Sequence, residues 1–412
     1  MTATAGLRRT LRQDAPAGHP SLRTTAAQVP TLLLLAWGAL FVNVLTPSGN
    51  PTIIPVPHAL NQLVAQGSLL AALVLALLVN PRVVVRPTLF LVLVSVMAVV
   101  ALAVSIHSDF LFGSTYRAFR LIGFVTCLWL LSPWWGRRDL VLLRVHRICL
   151  WVAVGSVVVG AALAPGKAFS SAGRLSGAIW PMPPPQVAHY AAVLLGTSAI
   201  LWMCRVIGGR HALLGIVPSV GVLLGTHTRT ALIGTIAGVA FAAASLFLGH
   251  ARVRRASLWT LVVGGAAGAL FAPYIVTWAA RGQTVEEASQ FTGRTKVWQA
   301  SMHAEQPLAT KMFGNGLSNK SFDGLPVDSN WVASYLDIGW FGIAVQVTFL
   351  LLLVVMAVTH VRGVRRAIAL FLIVYCIVAS VTETGTGDAS TYLLDLVVAA
   401  ALLVPEPGNR VR

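Results

Sequence analysis

Charge is what this sequence has least of. Asp, Glu, Lys and Arg together make up 10% of the 412 residues, against about 25% in an ordinary soluble domain. So few charges cannot clothe a water-facing surface, and 56% hydrophobic content exceeds what a soluble core requires. The excess fits a chain whose outside faces lipid. Cysteine is scarce too. The four present, Cys127, Cys149, Cys204 and Cys376, lie in or beside apolar runs, and none has the C-x2-C spacing of a zinc site. We read them as small apolar helix residues. No histidine pair has a metal-ligand spacing either, so neither a metal nor a cofactor is expected. The chain lacks an internal repeat, a separate soluble domain and a clear cleavage site after its first apolar run, which reads as a signal anchor.

What is abundant is apolar sequence in long stretches. A bilayer crossing needs roughly 20 mostly apolar residues, and such stretches occur near 30–46, 59–79, 88–106, 116–132, 142–164, 187–205, 211–226, 229–249, 257–278, 329–359, 365–382 and 389–404. The expected fold is an all-α polytopic bundle of about twelve spans. A polar, disordered tail (1–29) precedes the membrane domain (30–404), and a short tail (405–412) follows. The net charge of +17 is spread in small groups between spans rather than in one stripe, which argues for topology determinants and against nucleic acid. With the N-terminus inside, every cytoplasmic segment is basic: Arg8, Arg9, Arg12 and Arg23, then Arg82 and Arg86, Arg137 to Arg147, Arg205 and Arg210, Arg252 to Arg255, Arg362 to Arg366, and Arg410 and Arg412. Both termini are therefore expected in the cytoplasm.

A second basic set falls on the opposite side: Arg117, Arg120, Lys167, Arg174, Arg229, Arg281, Arg294, Lys296, Lys311 and Lys320. Orientation does not require these, and charge at a membrane boundary marks a functional candidate. Two long outer loops, about 165–186 and 279–328, carry the motifs. Gly173-Arg174-Leu175-Ser176-Gly177 precedes the prolines Pro181, Pro183, Pro184 and Pro185 and then His189. His227-Thr228-Arg229-Thr230-Ala231-Leu232 opens a span. The second loop holds Gly293-Arg294-Thr295, Trp298, a helical stretch Arg294–Glu305, and Phe313-Gly314-Asn315-Gly316. It closes on Asp328-Ser329-Asn330 and re-enters the membrane through Tyr335-Leu336-Asp337-Ile338-Gly339.

A guanidinium offers phosphate oxygens a planar fork of donors, and Arg229 at a helix N-terminus adds the dipole. Several such arginines around one cavity would hold a phosphate or pyrophosphate at the membrane surface, with a lipid tail between helices. Simpler readings stay open at this point. Arg229 can snorkel; Arg174 and Arg294 can be solvated loop charges; Arg117 and Arg120, three apart on one face, can anchor a helix at the interface. Asp328 and Asn330 can be N-caps, and His189, His227 and His303 ordinary polar contacts. Asp337, about two turns into a span, needs a partner, for which an outer arginine is the expectation.

In this order and on this side, the motifs Arg174–Gly177, Arg229–Leu232, Gly293–Trp298, Gly314–Gly316 and Asp337–Gly342 resemble those of the O-antigen ligase and O-antigen polymerase superfamily. The resemblance implies a class C-like, metal-independent, inverting glycosyltransferase of the bacterial plasma membrane. Its donor is a polyprenyl-phosphate- or pyrophosphate-linked saccharide, its acceptor a glycan or glycolipid at the extracytoplasmic face. A chain-length regulator or other polysaccharide-assembly proteins would be its partners. Arg174, Arg229 and Arg294 would bind phosphate, with Arg117, Arg120, His227, Trp298, Asn330 and Asp337 in support. Ligases of that family carry a His-Asn pair where this chain has Asp328-Ser329-Asn330. Asp328 would then be the general base, and ligase and polymerase remain alternatives. A polytopic transporter or flippase is the reading from another class, against which the clustering of charge on one face argues.

Overall fold

The computed structural model describes residues 29–406 apart from 46–47, 56, 138, 248, 250, 281–293, 318–320 and 323–324. The expected N-terminal tail through 28, the tail from 407, Arg281, Gly293 and Lys320 lie outside the described residues. The chain runs through α1 (Thr31–Asn43), α2 (His58–Val79), α3 (Leu89–Ser105), α4 (Leu111–Leu131), α5 (Val141–Leu163), α6 (Pro165–Ala168), α7 (Pro184–Met203) and α8 (Gly209–Gly225). It continues through α9 (Arg229–Leu246), α10 (Ala251–Leu270), α11 (Ala272–Ala280), α12 (Arg294–His303) and α13 (Leu308–Phe313). A two-residue antiparallel pair, β1 (Ser321–Phe322) with β2 (Leu325–Pro326), leads into α14 (Asn330–Thr359), α15 (Val364–Ala379) and α16 (Thr391–Leu403).

Each of the twelve apolar stretches coincides with helix, the one at 257–278 with the pair α10 and α11, bent by 75°. Among the described residues, five helices are long and apolar enough to cross a bilayer: α2 from Ala59, α5, α7, α9 and α14, or six if the bent pair is one span. The outer faces are apolar as lipid requires: Leu63, Leu70, Val74 and Leu78 on α2, Ile233, Ile236 and Phe241 on α9, and Leu351, Val355 and Val358 on α14 are all exposed.

The interior is α7, α15 and α16, most of whose side chains are buried. α15 packs on α9 and α16, and α7 on α5, α8 and α9. Small residues set these distances: a methyl group on Gly196 would collide with the ring of Phe371, so glycine lets α7 and α15 approach closely. Arg365 and Arg294 sit at opposite ends of α15. At one end Arg365 binds the carbonyls of Leu402 and Val404 and pairs with Glu406 at 3.7 Å. At the other lies the 380–390 connection.

α14 is broken. Gly339 has φ 67°, and Gly314 in the preceding loop has φ 78°; both lie in the left-handed region open to glycine. The two peptides meet back to back, so a methyl group on either would overlap the other's backbone neighbours, Met312 or Asp337. The break frees the carbonyls of Leu336 and Asp337, which accept from Asn315 N–H at 2.9 Å and Gly316 N–H at 3.0 Å. The Gly-Asn-Gly turn and the Asp-x-Gly motif, distant in sequence, are thus one structural joint. Ser329 is the N-cap of α14, which disposes of the capping reading of Asp328 and Asn330.

Candidate functional site

Four segments converge where α15 ends. In the 164–183 connection, Ala172 (φ 50°) and Gly173 (φ 71°) turn the chain back, and Leu175 N–H bonds the Gly225 carbonyl at the end of α8. This places Arg174, whose Nε donates to the Thr226 carbonyl at 2.9 Å and whose Nη2 donates to Thr228 Oγ1 at 3.1 Å. Arg229 follows as the first residue of α9, and Thr230 Oγ1 meets Thr382 Oγ1 at 2.6 Å. Arg294, first residue of α12, donates to the Thr382 carbonyl at 3.2 Å and pairs with Asp328 at 3.0 Å. Arg174, Arg294 and Asp328 are therefore together, and Arg229 lies between two threonines of the same cluster.

The residue at the centre is one that motif reading missed. Glu383, part-buried, feels Arg174, Arg294 and Asp328 electrostatically. Burial pushes its carboxyl up, to about 7, with Asp328 adding to the rise and the two arginines opposing it. Burial likewise lowers Arg174, Arg294 lowers it further and Glu383 opposes. Glu383 also lines a cavity of about 370 Å³ with Arg117, Arg120, Gln186, Asp388 and Tyr392. The α4 arginines thus line the same cavity as this carboxylate. Arg120 is tied down: Nη2 donates to the Asn43 carbonyl at 2.6 Å, and Nε to Asn43 Oδ1 at 3.3 Å. The signal for Glu383 was available as scarcity, because the chain holds only 13 acidic residues and three of them fall between 383 and 395.

The 380–390 connection is held by α14. Asn330, buried, accepts from the N–H groups of Thr386 at 2.9 Å and Gly385 at 3.3 Å, and its amide donates to Gln346 at 2.6 Å. Gln346, fully buried, donates on to Ser334 Oγ at 2.6 Å. The Asn330 N–H itself bonds the Ser380 carbonyl at 3.0 Å. Asn330 thus supports the site from below. Asp337 is buried beside a small cavity lined also by Asn330, Ser334, Gly385, Gly387 and Asp388. Trp298 packs with Val297 against Val327, Val332, Ala333, Tyr335 and Leu336, fixing α12 on α14. His227 has φ 50° and stacks on Trp278, ring centroids 5.4 Å apart. It shapes the turn ahead of Arg229. Among the described residues no group of three His, Cys, Asp or Glu side chains can hold a metal.

A neutral-range carboxyl beside fixed guanidiniums can take up a proton next to a site for anions. Asp328 is paired with Arg294. Comparison of the sequence with models of known protein families, and with curated proteins, gives no match.

Proposed function

We propose that the chain is an integral membrane glycosyltransferase of the bacterial plasma membrane, O-antigen ligase- or polymerase-like. It moves a saccharide from a polyprenyl-phosphate or pyrophosphate donor to a glycan or glycolipid acceptor at the extracytoplasmic face. About twelve spans, cytoplasmic termini and class C-like architecture belong to this reading. The observation that carries it is Glu383, with a carboxyl near neutrality, set between Arg174 and Arg294 on one side and the Arg117–Arg120 cavity on the other. The acceptor hydroxyl oxygen forms a bond to the anomeric carbon while the bond to the phosphate oxygen breaks. The leaving phosphate takes the electron pair, and Arg174, Arg229 and Arg294 offset its growing charge. The hydroxyl proton goes to Glu383. Asp328 holds Arg294 in place in this scheme. One direct displacement inverts the anomeric centre.

The test uses membranes bearing the wild-type protein, supplied with lipid-linked saccharide and an acceptor glycan. Appearance of free polyprenyl phosphate or pyrophosphate together with extended glycan, lost in Glu383→Gln, supports the reading. The break in α14 favours a second one, a flippase, because transporters bind substrate at interrupted helices. A flippase would move the donor across the bilayer with its sugar–phosphate bond intact.

A further inference from the structure

Below the site, wholly inside the bundle, lies a polar cluster that the transfer chemistry does not use. Asp395 on α16 is fully buried. Its Oδ1 is 2.8 Å from Nε2 of His146 on α5, and its Oδ2 is 3.1 Å from Nε2 of His189 on α7. The other nitrogens are also engaged. Trp37 Nε1–H points at His146 Nδ1 at 3.2 Å, and Tyr375 Oη is 3.1 Å from His189 Nδ1.

Donor and acceptor rules fix the protons. An indole N–H can only donate, so His146 Nδ1 is bare, and His146 is a neutral imidazole whose Nε2–H donates to Asp395. It cannot balance the carboxylate. The surrounding rings of Phe41, Tyr190, Tyr375 and Tyr392 bring no cation, and the neighbouring Arg147 turns to Ser198 Oγ at 3.1 Å. His189 Nε2 and Asp395 Oδ2 have no hydrogen-bond partner in line among the described residues. An uncompensated charge at this depth is strongly disfavoured.

We infer that His189 and Asp395 together hold one extra proton, making them a net-neutral ion pair, and that this pair positions the floor of the Glu383 cavity. The link is Tyr392. It lies one turn before Asp395 on α16, lines the cavity with Glu383, and rests its ring on His189 at a centroid distance of 4.3 Å. Gln186, one turn before His189 on α7, lines the same cavity and donates to Tyr190 Oη at 2.9 Å.

The protonation pattern is read by ¹⁵N NMR of histidine-labelled full-length protein in detergent, with His146→Gln and His189→Gln identifying the two signals. At pH 7, His146 should show one bare and one protonated nitrogen, and His189 the shifts of a ring carrying or sharing the extra proton. Two neutral rings beside an ionised Asp395, seen by infrared spectroscopy, overturn the inference. Melting supplies an independent measure. His189→Gln should lower the melting temperature, and adding Asp395→Asn should restore it, because an amide pair is neutral without a proton. Failure of that rescue, or a wild-type melting temperature for His189→Gln, also overturns it. Recovery of transfer in the double variant tests the positioning and rests on the proposed function. If the wild type itself transfers nothing, that function fails while NMR and melting still decide the ion pair.

Discussion

Glu383→Gln separates the catalytic account from a structural one, because the two predict opposite signs. The glutamate carboxyl sits at about 7 in the fold against an ordinary 4.5. The folded state therefore binds the proton more tightly than the unfolded chain. The favourable contribution is complete below about pH 4.5, fades as pH rises, and is gone above about pH 7. Holding the ionised form at pH 8 costs up to about 3 kcal/mol relative to acid conditions. Glutamine copies the protonated form at every pH, so the variant should melt higher than wild type at pH 8 and close to it at pH 5. Transfer should behave the other way. Wild-type turnover should climb through pH 7 as the base ionises, and the variant should lose roughly 10²–10⁴-fold with no such climb. Melting in detergent from pH 5 to 8.5, beside donor turnover over the same range, reads both. A variant that keeps full turnover, or one that melts lower than wild type at pH 8, rules out Glu383 as the base.

Arg174→Ala and Arg294→Ala should each lower turnover about 10²–10³-fold by removing charge from the leaving phosphate, and Asp328→Asn should cost less, through a looser Arg294; steady-state rates rank the three. Gly339→Ala forces a side chain into the Met312 backbone at φ 67°, so we expect a drop in melting temperature and yield larger than any site variant gives. Asn330→Ala leaves the amides of Gly385 and Thr386 without their acceptor and removes one donor to Gln346, each buried amide left unpaired costing about 1–3 kcal/mol; hydrogen exchange in 380–390 should rise before global unfolding does.

The helices were legible because a run of apolar residues long enough for a bilayer has one economical backbone state, the helix. The basic clusters were legible for the same local reason, and two of their members, Arg365 and Arg294, sit at opposite ends of α15. Convergence was harder to see. Nothing local to Arg174 says that it meets Thr226 and Thr228, since that contact depends on a turn at Ala172 and Gly173 packing on the end of α8. Glu383 escaped because it sits in a short polar connection that reads as a plain turn, and its properties come from burial and from charges far away in sequence. Asn330 was read both as a cap and as a supporting residue; its side chain reaches across to 385–386 and Gln346 rather than capping its own helix.

The joint between Gly314 and Gly339 has a consequence for solvent. An interrupted helix usually needs water at the gap, because its free carbonyls must be bonded by something. Here the amides of Asn315 and Gly316 occupy that role, so α14 can change direction without hydration. The polypeptide itself caulks the seam, bonding both carbonyls with its own amides.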